Sequence, residues 1–257
     1  MSKIIAISNQ KGGVGKTTTS INLAAALAHF SCKVLLIDLD PQSDSSRGMN
    51  IDVSLLNESI FEVLLNNISI EKVIRKTSIP GFDIAPSKLP SYPIEALGLN
   101  HEEPYFLLKK AIQPIVDNYD YIIIDCPPSL GLLTLNALNA STSILIPVQC
   151  EYFAMEAVSQ MLAAIARIQS TTNPNLSIEG FLLTMYDSKS NYSTEVTREV
   201  RSLFKENTFL TQVPRNISIP ESNSKGMPVT VYRKSSSGAL AYFSLAKEVM
   251  DKEYQNK

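Results

Sequence analysis

Short, continuous runs of apolar residues recur along this chain of 257 residues. Uninterrupted runs of this length are typical of parallel strands that are buried on both faces. Four of them predict strands at Ile4–Ser8, Val34–Asp38, Tyr121–Asp125 and Ser143–Val148, and two more are predicted at Phe82–Ala85 and Gly180–Thr184.

The segments between these runs carry apolar residues three and four positions apart, which predicts helices. The predicted helices cover Thr18–Ala28, Glu103–Asn118, Met155–Ser170, Thr194–Phe204 and Ala239–Met250. Strands that alternate with helices indicate an α/β fold, with a mostly parallel, twisted sheet and helices on both faces. The sequence contains no internal repeat and no linker, so we expect a single domain over residues 1–257. Residues 44–100 are the least regular part, and there we expect insertions and loops without an assigned function.

Composition adds to this picture mainly by exclusion. The chain is 44% hydrophobic and 19% charged, which suits one globular domain with a sizeable core. Its three cysteines are widely spaced and form no CxxC pair, which favours a reducing cytoplasm over a disulfide or zinc framework. No apolar run approaches the roughly 18 residues that span a bilayer, and no signal peptide is recognisable, so we expect a cytoplasmic protein.

A glycine-rich loop follows the first predicted strand and precedes the first predicted helix. Its spacing fits the G-x-x-x-x-G-K-[ST] phosphate loop, except that Lys11 stands where the first glycine usually is. Backbone N–H groups of such a loop cradle phosphates, aided by the positive end of the following helix. The predicted nucleotide-binding residues are Lys11, Gly12, Gly13, Val14, Gly15, Lys16, Thr17 and Thr18. Among them, Lys16 is expected to reach the β- and γ-phosphates, and Thr17 to complete a Mg²⁺ shell, so the predicted ligands are ATP and Mg²⁺.

Carboxylates end two of the predicted strands. Asp38 and Asp40 close the second apolar run, at the edge of a parallel sheet where ligands bind. Asp125 ends the Tyr121–Asp125 run in the Walker B arrangement and is expected to hold Mg²⁺ through a water molecule. Asp38 is a further candidate for Mg²⁺, although a strand-end acid that caps a helix is an equally ordinary explanation.

The segment from Lys11 to Thr18 resembles the deviant Walker A loop of the ATPase family that contains the ParA/Soj partition proteins, the septum-site protein MinD and nitrogenase iron protein. The resemblance implies that Lys11 contacts nucleotide across a homodimer interface, so that ATP binding and dimerisation are linked. It also implies that Asp40 orients the attacking water, which makes Lys11, Lys16 and Asp40 the catalytic candidates of a slow ATPase.

Several C-terminal segments are similar to those of chromosomal ParA/Soj proteins, among them Leu182–Asp187 and Val213–Asn216. In that family these segments lie near adenine. The resemblance therefore implies base contacts from Met185, Pro214, Arg215 and Asn216, although Pro214 and Asn216 could instead shape a turn.

The charge is unevenly distributed, although the net charge of −2 alone argues against a nucleic-acid partner. Residues 1–187 hold 12 Lys and Arg against 18 Asp and Glu, a net charge of −6, whereas residues 188–257 hold 11 against 7, a net charge of +4. ParA/Soj proteins bind DNA without sequence specificity, and this basic third is compatible with that.

The candidate DNA contacts are Lys189, Arg198, Arg201, Lys205, Lys225, Arg233 and Lys234. For each of them, an ordinary charged surface is the alternative. Ser218 stands where relatives often carry arginine, and Lys225 replaces their usual histidine.

Two functions from different classes remain open. The first is a partition ATPase that dimerises on ATP, binds nucleoid DNA, and is released when a ParB-like partner stimulates hydrolysis. The second is a MinD-like regulator that acts on membrane or protein clusters without DNA. The C-terminal tail from Asp251 is mixed in charge and poor in apolar anchors, so we expect no stable membrane anchor. A nitrogenase-type iron protein is disfavoured because the cysteines are wrongly placed for a bridging cluster, and a metabolic ligase because no substrate pocket is recognisable.

Overall fold

The computed structural model describes residues 2–90, 93–94, 101–151 and 154–255. Its centre is an eight-stranded sheet with the order β3-β4-β2-β5-β1-β6-β7-β8. The strands are β1 (Lys3–Ile7), β2 (Val34–Asp38), β3 (Arg75–Lys76), β4 (Phe82–Ala85), β5 (Tyr121–Asp125), β6 (Ser143–Gln149), β7 (Ser177–Tyr186) and β8 (Thr208–Pro214). All neighbouring strands run parallel except the short edge strand β3, which is antiparallel to β4. The predicted α/β fold with a mostly parallel sheet is confirmed.

Ten α-helices are assigned in the described residues. They are α1 (Lys16–His29), α2 (Asp44–Gly48), α3 (Ile60–Asn66), α4 (Leu107–Ile112), α5 (Leu132–Ala140), α6 (Ala154–Thr171), α7 (Asn191–Phe204), α8 (Ser218–Ser224), α9 (Val229–Tyr232) and α10 (Ser237–Gln255). One face of the sheet is covered by α1 and α10, and the other by α3 to α7. Successive side chains of β1 point to opposite faces, with Ile4 and Ala6 in one core and Ile5 and Ile7 in the other. Burial on both faces explains why the strands read as continuous apolar runs.

One predicted helix needs correction, and several short elements were not predicted. The helix predicted at Glu103–Asn118 is shorter: α4 ends at Ile112, and a 3₁₀ helix follows over Gln113–Asn118. Pro114 accounts for the break, because it lacks the N–H that would continue the α-helical bonding pattern. The irregular segment 44–100 contains α2, α3 and β3 in addition to the predicted strand β4. Strand β8 and helix α5 were also not predicted.

The last helix, α10, packs onto the body of the protein. Tyr242, Leu245, Ala246 and Val249 are buried in the core that also contains α1. No helix within the described residues is both long and apolar enough to cross a membrane.

Candidate nucleotide site

The phosphate loop lies between β1 and α1, where the chain turns sharply. Gly13 and Gly15 adopt φ values of 74° and 89°, which favour glycine, and a Cβ atom at Gly12 or Gly13 would face open space. Gly15 is the N-cap of α1, and its φ and ψ are left-handed. The first turn of α1 holds no acidic residue, so its positive end is free for an anion. Such a cradle fits phosphate groups.

Two lysines of the loop occupy different environments. Lys16 is only 7% exposed, and its Nζ donates to the carbonyl oxygen of Lys11 at 3.2 Å. Burial lowers the pKa of Lys16, and the nearby Asp125 carboxylate partly opposes that effect. The ammonium of Lys11 instead lies at the rim, 3.8 Å from the carboxylate of Glu151. Lys16 can therefore reach phosphates inside the loop, whereas the ammonium of Lys11 lies beside Glu151 at the edge of the loop.

The loop is braced by polar contacts from neighbouring strands. Asn9 accepts the N–H of Lys11 at 3.0 Å and donates to the carbonyl oxygen of Pro147 at 2.7 Å. On the other side, the hydroxyl of Thr184 donates to the carbonyl oxygen of Val14 at 2.9 Å. Neither Asn9 nor Thr184 was a sequence-based candidate. Asn9 directly precedes the loop motif, but the contact of Thr184 spans 170 positions and leaves no local signal.

The three candidate carboxylates meet at the carboxyl ends of two adjacent strands. Asp38 is paired in register with Asp125 across β2 and β5, and both are fully buried. Burial is the main cause that raises the pKa of Asp38 to about 8 and that of Asp125 to about 6. Asp40 lies two residues beyond β2 and is also buried, with its pKa raised by desolvation. The three acids, which the sequence analysis singled out separately, thus lie together and close to Lys16 of the phosphate loop.

Serine hydroxyls hold these carboxylates in position. Asp125 accepts hydrogen bonds from Ser20 at 3.0 Å and Ser45 at 2.8 Å, and a further one from Thr17. Asp38 accepts the N–H and the hydroxyl of Ser46 at 2.8 and 2.6 Å. Ser45 and Ser46 belong to α2, in the segment for which the sequence suggested no function.

The residues at this site can supply part of the coordination shell of a magnesium ion. The described residues contain no group of three or more His, Cys, Asp or Glu side chains that could hold a metal alone. Mg²⁺ in phosphoryl-transfer sites is bound by one or two protein oxygens together with substrate phosphates and water, so a partial shell is what such a site requires. The Thr17 hydroxyl and the Asp125 carboxylate, which lie in contact, offer this oxygen-only donor set.

A cavity of about 690 Å³ opens beside the phosphate loop. All four predicted base-contact residues line it: Met185, Pro214, Arg215 and Asn216, together with Gly15, Thr18 and Tyr242. Asn216 also shapes the local turn, because its side chain accepts the N–H of Ser218 at 2.9 Å and donates to the Ser237 hydroxyl at 2.7 Å. The two alternatives left open for Asn216 are therefore compatible, since it lines the cavity and fixes the turn.

Glu151 forms ion pairs with a lysine at the rim of the phosphate loop and with an arginine in the wall of this cavity. Its carboxylate lies 3.8 Å from Nζ of Lys11 and 3.1 Å from a guanidinium nitrogen of Arg215. The sequence analysis did not single out Glu151, because the two partners are more than 60 positions away on either side. The acid balances two cations that a polyanionic ligand would attract.

The seven candidate DNA contacts do not form one equivalent set. Lys189, Arg198, Lys205, Lys225, Arg233 and Lys234 are exposed. Arg201 is partly buried, and its guanidinium donates to the carbonyl oxygens of Phe209 and Leu210 at 3.2 and 3.0 Å. Helix α7 ends at Phe204, and Lys205 follows it with a φ of 43°. Arg198, Arg201 and Lys205 recur three and four positions apart, but only Arg198 is an exposed cation on α7, because Arg201 braces β8 and Lys205 lies past the helix. Ser218 accepts a bond from Arg233 at 3.2 Å.

Comparisons with known proteins agree with this geometry. Residues 2–178 match the family model described as an AAA domain. The chain is 45% identical over 251 residues to the sporulation initiation inhibitor protein Soj of Bacillus subtilis (strain 168), covering 97% of this chain and 98% of Soj. It is also 45% identical over 251 residues to the chromosome partitioning protein ParA of Myxococcus xanthus (strain DK1622), covering 98% of this chain and 89% of that protein.

Solved structures give the same architecture. Cobyrinic acid a,c-diamide synthase from Mycobacterium smegmatis, with bound ATP analog and magnesium, superimposes with a TM-score of 0.88 at 33% identity, covering 100% of this chain and 98% of that one. The cell division ATPase MinD of Pyrococcus furiosus gives a TM-score of 0.81 at 26% identity, covering 98% and 100%. With a phosphate loop, strand-end carboxylates and full-length similarity to Soj and ParA, the chain belongs to the ParA/Soj family of chromosome-partitioning ATPases, and this membership implies ATP hydrolysis.

Proposed function

We propose that the protein is a partition ATPase in which Mg-ATP binding drives homodimerisation and non-specific DNA binding. Hydrolysis is slow, and a ParB-like partner accelerates it and so releases the protein from nucleoid DNA. The observation that carries the proposal is the division of labour between the two loop lysines. Lys16 is buried within the cradle, whereas the ammonium of Lys11 lies at its rim, available to the nucleotide of a second subunit.

The residues of the site are assigned roles from their positions. The N–H groups of residues 12–18 and the ammonium of Lys16 bind the phosphates, and Thr17 and Asp125 hold Mg²⁺, the latter through water. The metal, when bound, neutralises charge on the transferred phosphoryl group. Asp40 orients the attacking water, and Asp38 is a weaker candidate for Mg²⁺. Met185, Pro214, Arg215 and Asn216 enclose the base in the cavity beside the loop.

The protein's own residues explain why turnover by a monomer should be slow. Lys11 pairs with Glu151 of the same chain at 3.8 Å, so it does not point into its own cradle. Charge developing on the γ-phosphoryl group is then fully countered only when a second subunit supplies its Lys11. Dimerisation thus completes the site, and the lifetime of the bound ATP limits the lifetime of the dimer.

The decisive experiment compares two surfaces. The Asp40→Ala variant, which should retain ATP but not hydrolyse it, is sedimented with Mg-ATP on DNA and on anionic liposomes. We expect co-sedimentation with DNA and little with liposomes. The matched control is Lys16→Ala, which should lose ATP binding and bind neither surface. Binding of the Asp40→Ala variant to liposomes but not to DNA would contradict the proposal and favour a MinD-like membrane regulator.

A further inference from the structure

Ser87 connects the irregular segment to the carboxylate cluster. It lies two residues beyond β4 and is fully buried. Its hydroxyl donates to the carbonyl oxygen of Asp40 at 2.6 Å, and its N–H donates to the Ser46 hydroxyl at 2.9 Å. Ser46 in turn donates to Asp38 at 2.6 Å. Ser87 thus contacts the backbone of Asp40 and the serine that holds Asp38, although it belongs to a different part of the chain.

The other bonds to Asp40 come from residues close to it in the chain, and its own N–H donates to the Asp38 carboxylate at 3.3 Å. Strand β2 ends at Asp38, and the Leu39 N–H still donates to the carbonyl oxygen of Asp125 at 3.0 Å, one residue before Asp40. Two of the bonds to Asp40 come from its own turn: Ser43 N–H to its carbonyl oxygen and Gln42 N–H to its carboxylate, both at 2.9 Å. The Ser87 hydroxyl ties this turn to the β4 side of the sheet, because it donates to Asp40, 47 positions away, and accepts from the Ser43 hydroxyl at 3.3 Å.

We propose that Ser87 is a positioning residue for ATP hydrolysis, which acts by fixing the Asp40 turn against the loop after β4. The inference rests on the proposed role of Asp40 in orienting water. A buried hydroxyl that bonds to the carbonyl oxygen of Asp40 fixes the peptide plane after its Cα, and with it the orientation of the Asp40 side chain. Displacement of a catalytic group by about 1 Å can reduce a rate by on the order of 100-fold, so a single lost bond of this kind is measurable.

The test separates positioning from stability. Ser87→Ala removes the hydroxyl, and Ser87→Cys keeps the size of the side chain with a weaker donor. The matched control is Ser141→Ala, because Ser141 is also buried and donates to a backbone carbonyl oxygen, that of Ala137 at 2.7 Å, but precedes the amino end of β6. For each variant, kcat and KM for Mg-ATP, the affinity for a fluorescent ATP analogue, and the thermal unfolding midpoint are measured.

We expect kcat of Ser87→Ala to fall about 10-fold while KM and analogue affinity stay within about twofold, as befits a lost orientation. Ser87→Cys should give an intermediate kcat, and Ser141→Ala should keep the kcat of the unsubstituted protein. Wild-type kcat in both Ser87 variants would overturn the assignment. So would a loss of kcat that is matched by equal losses of analogue affinity and thermal stability, since that indicates general disruption. Absence of hydrolysis by the unsubstituted protein would instead contradict the proposed function, and Ser87's role with it.

Discussion

Two arginines one helical turn apart show how the same residue type takes different roles. Arg198 is exposed on α7, whereas the guanidinium of Arg201 is engaged by two carbonyl oxygens of β8. At that point the pairing of β8 with β7 is irregular, and the N–H groups of Leu210 and Thr211 donate to Glu248 at 2.7 and 2.8 Å. Arg201 and Glu248 therefore satisfy backbone groups that the strand pairing leaves open.

This contrast predicts opposite phenotypes for two alanine variants. Arg201→Ala should lower the free energy of unfolding by about 1 kcal/mol, because two charge-assisted bonds to carbonyl groups of β8 are lost. Arg198→Ala should leave stability within about 0.5 kcal/mol and weaken DNA binding several-fold through one lost phosphate contact. Urea denaturation and DNA-binding titrations measure the two effects. A stable Arg201→Ala variant with a selective DNA defect would contradict the structural role of Arg201.

The buried Asp38 predicts a pH dependence of stability. Its folded pKa is about 8, above the value of about 4 for an unfolded chain. Between these values the folded state binds more protons than the unfolded state, so the free energy of unfolding should fall as the pH rises from about 4 to 8. Asp38→Asn keeps the shape without the charge and should flatten this slope. Urea denaturation of the protein without nucleotide or Mg²⁺, at several pH values, tests this. An unchanged slope in Asp38→Asn would show that other groups cause it.

The functional residues that could be predicted from the sequence are those whose motif lies within one short segment of the chain. Lys11 to Thr18 could be identified because eight consecutive positions carry the motif, and Asp125 because it directly ends an apolar run. Ser87 and Glu151 could not, because their roles arise from contacts with Asp40, Lys11 and Arg215 that only the fold brings together.

Among the elements, long segments with strong periodicity were predicted and short ones were not. Helix α6 runs over Ala154–Thr171, within one residue of the prediction at each end. Helix α2 has only five residues, too few to be stable alone, and depends on bonds from Ser45 and Ser46 to carboxylates on the sheet. The chain just after α2 is also held in place, because Asn50 packs against Gly226 in the turn between α8 and α9. Tertiary contacts of this kind leave no periodic pattern.

That packing gives a prediction about the turn between α8 and α9. Gly226 has a φ of 62°, and an added Cβ would lie 2.7 Å from Cβ of Asn50. Gly226→Ala should therefore lower the free energy of unfolding by about 1–3 kcal/mol, from backbone strain and overpacking. Adding Asn50→Gly should recover part of the loss, because it removes the opposing Cβ at a residue that itself has positive φ. Gly12→Ala, which faces open space, is the control and should change stability little. Equal stability of the Gly226→Ala variant and the unsubstituted protein would contradict the close packing.

For the whole molecule, the placement of charge matters more than its sum. The acidic body of residues 1–187 carries a net charge of −6, and the basic third carries +4. The phosphate loop and its carboxylates belong to the first part, whereas the exposed candidates for DNA contact belong to the second. A molecule arranged in this way can present a basic surface to DNA although its total charge is negative.

This arrangement predicts the salt dependence of DNA binding. Each phosphate contact contributes about 0.9 to the slope of log affinity against log salt concentration. Lys225 and Lys234 are both exposed in the basic third, so Lys225→Ala/Lys234→Ala should reduce the slope by about 2 in the ATP-bound protein if both contact phosphates. The matched control is Lys72→Ala/Lys109→Ala, which removes two exposed charges from the acidic body and changes the net charge equally. If net charge alone governed binding, both double variants would lose the same slope. A change confined to the first shows that DNA phosphates contact the basic third directly.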